Sequence, residues 1–162
     1  MSMRENPPEK KDENSAEDSD DKFYCLKLKN QLCFPLYAAS KEILRKYTPL
    51  LKKLNLTYTQ YIAMMVLWEH RKLNIGELGK HLFLDTGTLS PLLKSMEKKG
   101  LVTRTRNKDD ERIVFIETTK KGEKMKEKAL EIPEQMETCV NLSKKEVENL
   151  YALLYKILGQ DD

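Results

Sequence analysis

Apolar residues recur with helical spacing from about Leu28 to the end of this chain, interrupted once by a short β-rich stretch. Leu32, Leu36, Ala39 and Ile43 fall along one side of a helix predicted over Lys29–Lys46, and a short helix over Pro49–Leu54 is expected next. Pro35 suits such a helix only in a first turn, where its missing N–H has no partner to lose, which puts Cys33 close to the helix start. Thr57-x-x-Gln60 has the form of a capping box, and the helix it opens carries Tyr61, Met64, Met65 and Trp68 at i, i+3, i+4 and i+7. That stripe reads as core. Asn74-x-x-Glu77 begins another helix, Ile75–Leu82, and Asp85 caps a third that buries Leu89, Leu92, Leu93 and Met96 before Gly100 ends it.

The period then changes. "LVTRTR" and "IVFIETT" alternate like strands around the charged loop "NKDDE", which predicts a two-stranded hairpin. Two helices follow, about Lys121–Cys139, disturbed at Pro133, and Ser143–Leu158, opened by Ser143-x-x-Glu146. The last helix offers Val147, Leu150, Tyr151, Leu154, Ile157 and Leu158, a face too wide for the remaining chain to cover, so a second subunit is its expected neighbour. The fold class is mainly α with a small β-hairpin (α+β).

Composition narrows the function classes. The chain has 162 residues, enough for one domain and a tail. No run approaches the roughly 20 apolar residues of a membrane span, and the polar start differs from a secretory signal. A soluble, cytoplasmic protein with no membrane partner is expected. Its three cysteines, Cys25, Cys33 and Cys139, show no C-x-x-C spacing, and His70 and His81 complete no zinc pattern, so neither a metal nor another cofactor is expected. Residues 1–22 hold four basic and eight acidic side chains, a net of −4, which leaves +7 for the rest of a chain whose total is +3. This acidic tail is predicted to be disordered. The basic remainder, residues 23–162, invites an anionic partner.

Helix, helix, hairpin across about 74–118 is the order of a winged helix-turn-helix, in which one helix fits the major groove of duplex DNA and the hairpin reaches the minor groove. The solvent side of the 85–99 helix offers Thr86, Thr88, Ser90, Lys94 and Ser95. Gly87 permits close backbone approach, and Pro91 is grouped with this surface. Lys98, Lys99, Arg104, Arg106 and Lys108 continue the positive charge toward the hairpin. Taken singly, each fits an ordinary solvated face; at these spacings together they favour DNA. In the loop, Arg112 suits the negative potential of a narrow minor groove, and Asp110, two residues earlier on the same side of a strand, can orient it.

The run "GELGKHLFLDTGTLSPLLKSMEKKGLVTRTRNKDDERIVFIETTKKG" resembles the MarR family of transcriptional regulators, over about residues 26–158. "NQLCFPLYAASKEILRKYTPLLKKLNLTYTQY" and "LDTGTLSPLLK" are similar to its organic hydroperoxide regulator branch. The resemblance implies a homodimer joined through about 26–56 and 121–160, which represses a peroxide-detoxification gene from a pseudo-palindromic operator in double-stranded DNA. It makes Cys33 the sensor of an organic peroxide, with Tyr47 and Tyr58 of the opposite subunit, and Tyr37, hydrogen-bonding its thiolate. It also sends Arg112 into the minor groove with Asp110 bracing it. Cys139 stands where two-cysteine members carry a resolving cysteine, which implies an intersubunit Cys33–Cys139 disulfide in preference to capping by a small thiol, although by itself Cys139 also reads as a buried spacer at a helix junction. Apart from the resemblance, Cys25, eight residues before Cys33 and near the tail, reads as incidental, with its proximity offering a second trap as the alternative. Pro35 departs from the branch, which usually has an ordinary apolar residue there.

Peroxide attack needs a thiolate, favoured by a helix N-terminus and phenolic donors and opposed by the apolar neighbours Leu32, Phe34, Pro35 and Leu36. Other readings stay open: a regulator that binds a small aromatic ligand near Tyr37, Tyr47, Tyr58 and Trp68, a broader redox-responsive global regulator, or a thiol peroxidase. The last lacks any peroxidase-type motif beyond the cysteine, and a non-enzyme is expected.

Overall fold

The computed structural model describes residues 22–137 and 139–159. The predicted acidic tail therefore lies outside the described residues, apart from Lys22. Two compact units divide the chain, one ending at Ile43 and one beginning at Leu44.

In the first unit, two 3-10 turns, Tyr24–Leu26 and Leu28–Asn30, precede helix α1, Cys33–Lys53. Asn30 Nδ2 donates to the Tyr24 carbonyl at 2.8 Å, and the Gln31 side chain donates to the Cys25 carbonyl. The helix thus starts four residues later than the apolar spacing predicts. Pro35 supplies the reason. A helix from Lys29 would hold it in the interior, where its ring meets the carbonyl four residues back, whereas a start at Cys33 keeps it in the first turn.

The same helix runs on through Pro49, where a separate short helix was expected. Residues 45, 48 and 49 are exposed, Thr48 Oγ1 donates to the Leu44 carbonyl at 3.0 Å, and Leu51 just beyond is 1% exposed. Packing at Leu51 carries the helix past the one backbone bond that Pro49 removes.

The second unit is built around helix α2, Tyr58–His70, whose Thr57–Gln60 capping box is complete in both directions. Tyr61, Met64 and Trp68 are buried as expected, but Met65 is exposed, and Ala63 and Leu67 join the core in its place. Strand β1, Lys72–Asn74, then leads into α3, Ile75–Leu82, and α4, Thr86–Lys98. Gly100, at φ +71°, ends α4 as predicted. Strands β2, Val102–Arg106, and β3, Val114–Thr118, form the hairpin, and β1 adds to it antiparallel, giving the order β1-β3-β2. The sheet has three strands where the sequence indicated two. At three residues, β1 is too short to show alternation, and its pairing of Leu73 with Ile116 spans over forty residues of chain.

Helix α5, Lys120–Ala129, returns across the core so closely that a Cβ on Gly122 would lie 2.3 Å from the Leu101 carbonyl. Trp68 Nε1 donates to the Gly122 carbonyl at 3.0 Å. The expected helix Lys121–Cys139 is two helices, α5 and α6, Glu131–Glu137, parted at Leu130. Pro133 excludes the carbonyl of Ala129, so the break falls one turn upstream of the proline. Helix α7, Lys144–Ile157, opens on the Ser143–Glu146 box and buries none of its residues; Val147, Leu150, Tyr151, Leu153, Leu154 and Ile157 are exposed.

Candidate functional site

Helices α3 and α4 are set against each other by a close approach: a Cβ on Gly79 would stand 2.6 Å from the Leu84 carbonyl. Asp85 caps α4, accepting the Thr88 N–H and the Thr88 hydroxyl at 2.8 Å each. The Thr88 backbone bond, then its side chain, holds the Asp85 carboxyl below its ordinary range, so the cap stays anionic. Gly87 has a local reason here, since a Cβ would fall 2.9 Å from Asp85 Oδ1. Ser90 Oγ donates to the Thr86 carbonyl at 2.8 Å. Thr86, Gly87, Thr88, Pro91 and Lys94 are exposed and Ser90 is half-buried, so the predicted reading face exists as a surface. Ser95 turns inward, within hydrogen-bond distance of Gln60 Nε2 at 3.3 Å.

At the hairpin tip Arg112 grips Asp110 with a two-point fork, Nε to Oδ1 at 3.0 Å and Nη2 to Oδ2 at 3.1 Å, while its backbone N–H also reaches Oδ1 at 3.0 Å. Arg112 keeps 90% of its side chain in solvent. Its side chain, then its backbone, pulls the Asp110 carboxyl below the usual range. The pair lies in the loop between β2 and β3, not along a strand as expected: the turn brings the two together. Asn107 N–H to the Ile113 carbonyl, 2.8 Å, and Ile113 N–H to the Asp110 carbonyl, 3.0 Å, close that loop.

The flanking cations divide. Lys98, Arg106 and Lys108 are exposed. Arg104 is half-buried, with Nη1 3.7 Å from Glu97 Oε2 and its Nε buried without a hydrogen-bond partner among the described residues. Lys99, assigned to the positive surface from sequence, instead turns inward and donates to the Asn55 carbonyl at 2.6 Å and to Gln60 Oε1 at 2.8 Å.

Cys33 is exposed as the first residue of α1, and Cys25 is exposed as well. Tyr37 is exposed, with Lys41 Nζ 5.2 Å from its ring centre. In the second unit, Tyr47 and Tyr58 meet edge to face at 5.0 Å, and Tyr61 lies 6.0 Å from Tyr47. Burial raises all three phenols above the ordinary tyrosine value, so each remains an O–H donor well past neutral pH. A cleft of about 380 Å³ beside Tyr58 is walled by Leu44, Leu51 and Leu56. Cys139 is half-buried; its thiol donates to the Gln135 carbonyl at 3.3 Å, and its backbone carbonyl accepts from Lys46 Nζ. Among the described residues, no helix is long and apolar enough to cross a membrane, and no group of three or more His, Cys, Asp or Glu side chains could hold a metal.

Residues 45–129 match the family model described as transcriptional regulator SarA/Rot. The chain is 50% identical over 142 residues to the organic hydroperoxide resistance transcriptional regulator of Bacillus subtilis, covering 86% of this chain and 95% of that one. Its fold is similar to that of reduced AbfR bound to DNA, with TM-score 0.69, 32% identity, and 83% and 93% of the two chains covered. AbfR is a protein of Staphylococcus epidermidis, and its disulfide-formed structure is also similar, at TM-score 0.60 and 32% identity over 82% and 93%. A mutant MarR of E. coli in complex with operator DNA matches with TM-score 0.74 and 25% identity over 85% and 99%. These relatives are regulators rather than enzymes.

Proposed function

Because this chain belongs to the MarR family of transcriptional regulators, in the branch of organic hydroperoxide resistance regulators, we propose that it is a homodimeric repressor released from its operator by peroxide oxidation of Cys33. The observation that carries this reading is the exposed thiol at the first residue of α1, in a chain half identical to a regulator named for organic hydroperoxide resistance.

On the DNA side, α4 enters the major groove with Thr86, Gly87, Thr88, Ser90, Pro91 and Lys94, and Arg112 enters the minor groove. Arg104, Arg106 and Lys98 attract phosphates. A lone exposed ion pair contributes little to stability. The Asp110 fork is better understood as fixing the direction of a guanidinium that would otherwise lose rotamer freedom on binding.

The chemistry at Cys33 is a displacement. Its thiolate attacks the outer oxygen of the peroxide, the O–O bond breaks, and the organic alkoxide takes a proton and leaves as an alcohol. The sulfur becomes a sulfenic acid. Tyr37, with Tyr47 and Tyr58 of the opposite subunit, favours the thiolate as a neutral donor, and the raised phenol values of Tyr47 and Tyr58 support that role. Attack by the Cys139 thiol of the other subunit then forms a disulfide and expels water. A disulfide requires Cα atoms within about 7 Å, so where Cys33 and the other subunit's Cys139 start farther apart than that, closing it drags the helices that set the distance between the two α4 copies. Those copies must match major grooves about 34 Å apart.

Peptide mass spectrometry of peroxide-treated protein tests the trap. It should find a Cys33–Cys139 linkage, and in Cys139→Ser a sulfenic acid or small-thiol adduct on Cys33. Oxidation confined to Cys25 would contradict it.

A further inference from the structure

Gln60 is the one buried polar side chain among the described residues, 4% exposed, and every polar atom of its amide is engaged. Its Oε1 accepts the Thr57 N–H at 3.2 Å, completing the box that starts α2, and also the Lys99 ammonium at 2.8 Å. Its Nε2 faces Ser95 Oγ at 3.3 Å. Lys99 in turn donates to the Asn55 carbonyl at 2.6 Å. Asn55 sits at φ +55°, in the turn between α1 and α2. Ser95 and Lys99 are one helical turn apart at the C-terminal end of α4. One amide therefore joins the start of α2 to two points on the DNA-reading helix, and a lysine that could face solvent is turned inward to complete the joint.

We infer that Gln60 is a positioning residue for operator recognition: through Ser95 and Lys99 it fixes the pitch of α4 without touching DNA. The reading rests on the DNA-binding function proposed above, but not on peroxide sensing. Stability alone does not require this arrangement, since a buried hydrogen-bonded pair is often replaceable, both partners together, by apolar groups of similar size. What a two-point clamp provides is orientation. Base readout depends on orientation, whereas phosphate attraction tolerates a tilt.

The test uses full-length protein and two duplexes of equal length, one selected by the wild type from random sequence and one scrambled. In Gln60→Leu and Lys99→Met, affinity for the selected duplex should fall about tenfold while affinity for the scrambled one stays within about twofold, as expected when charge-assisted bonds orient the helix. Gln60→Glu, which keeps an acceptor for Thr57 and Lys99, should stay within about threefold of wild type on both. Thermal melting accompanies each measurement, and Ser95→Ala serves as the mild variant should Gln60→Leu fold poorly. An unchanged ratio of the two affinities in Lys99→Met and Ser95→Ala would overturn the inference, as would an equal loss on both duplexes. A wild-type protein that selects no sequence would instead overturn the DNA-binding reading itself.

Discussion

At the scale of single residues, charge works here by fixing direction. Asp110 has its carboxyl lowered by Arg112, so the stability the pair contributes is present above the ordinary carboxylate range and is lost only as pH falls through the lowered value. The fork should therefore persist through mildly acid solution; an NMR titration of the Asp110 carboxyl should show its midpoint below that of a free aspartate. Arg112→Ala should weaken operator binding by about tenfold, and Arg112→Lys should not restore it, because an ammonium cannot make the planar two-point contact. Equal affinities of wild type and Arg112→Ala at physiological salt would remove Arg112 from the interface. Asp110, Arg112, and the placement of Cys33 at a helix start were all legible in the sequence, since each depends on neighbours within a few residues. The long-range bonds of Gln60 and Lys99 were not, although the Thr57–Gln60 box was. Their partners lie 35 to 44 residues away, and no local pattern distinguishes an inward lysine from a surface one.

Among the elements, the prolines explain most of the differences between pattern and structure. Pro35 delays the start of α1 and Pro133 parts α5 from α6, while Pro49 is overruled by the buried Leu51. Apolar periodicity alone cannot weigh a lost backbone bond against tertiary burial, which is why the boundaries of α1 and α5 moved although both helices were foreseen. Helices α2, α3, α4 and α7 announced themselves through Thr57–Gln60, Asn74–Glu77, Asp85 and Ser143–Glu146. The strand β1 was invisible for want of length. The seam between α5 and the start of β2 gives the sharpest stability prediction at this scale. Gly122→Ala would press a methyl group into the Leu101 carbonyl, and should cost about 2 kcal/mol or more in chemical denaturation, because backbone on both sides leaves nothing flexible to yield. A loss under about 0.5 kcal/mol, the size typical of an innocuous surface change, would show that this packing is looser than described.

For the whole molecule, the decisive features are apolar faces that the described chain leaves exposed. Every residue of α7 is at least partly in solvent, with Leu150, Tyr151, Leu153 and Ile157 more than 40% exposed, and Phe23, Leu26, Leu28 and Leu32 in the first unit are exposed too. Exposed apolar residues of this kind are what the proposed dimer would bury, and the sequence pointed to those of α7 through the width of its apolar face. Substituting Leu150→Glu together with Leu154→Glu should shift the protein to a monomer in sedimentation equilibrium and abolish tight operator binding. A monomeric wild type would contradict the dimer and with it the intersubunit trap. The role of Cys33 as the switch is tested most directly by a gel-shift titration with duplex from upstream of the chain's own gene, using wild type and Cys33→Ser, each with and without cumene hydroperoxide. Wild type should bind when reduced and let go when oxidised, while Cys33→Ser binds under both conditions. Release of Cys33→Ser at the same peroxide concentration as wild type would contradict the claim that this sulfur is the switch.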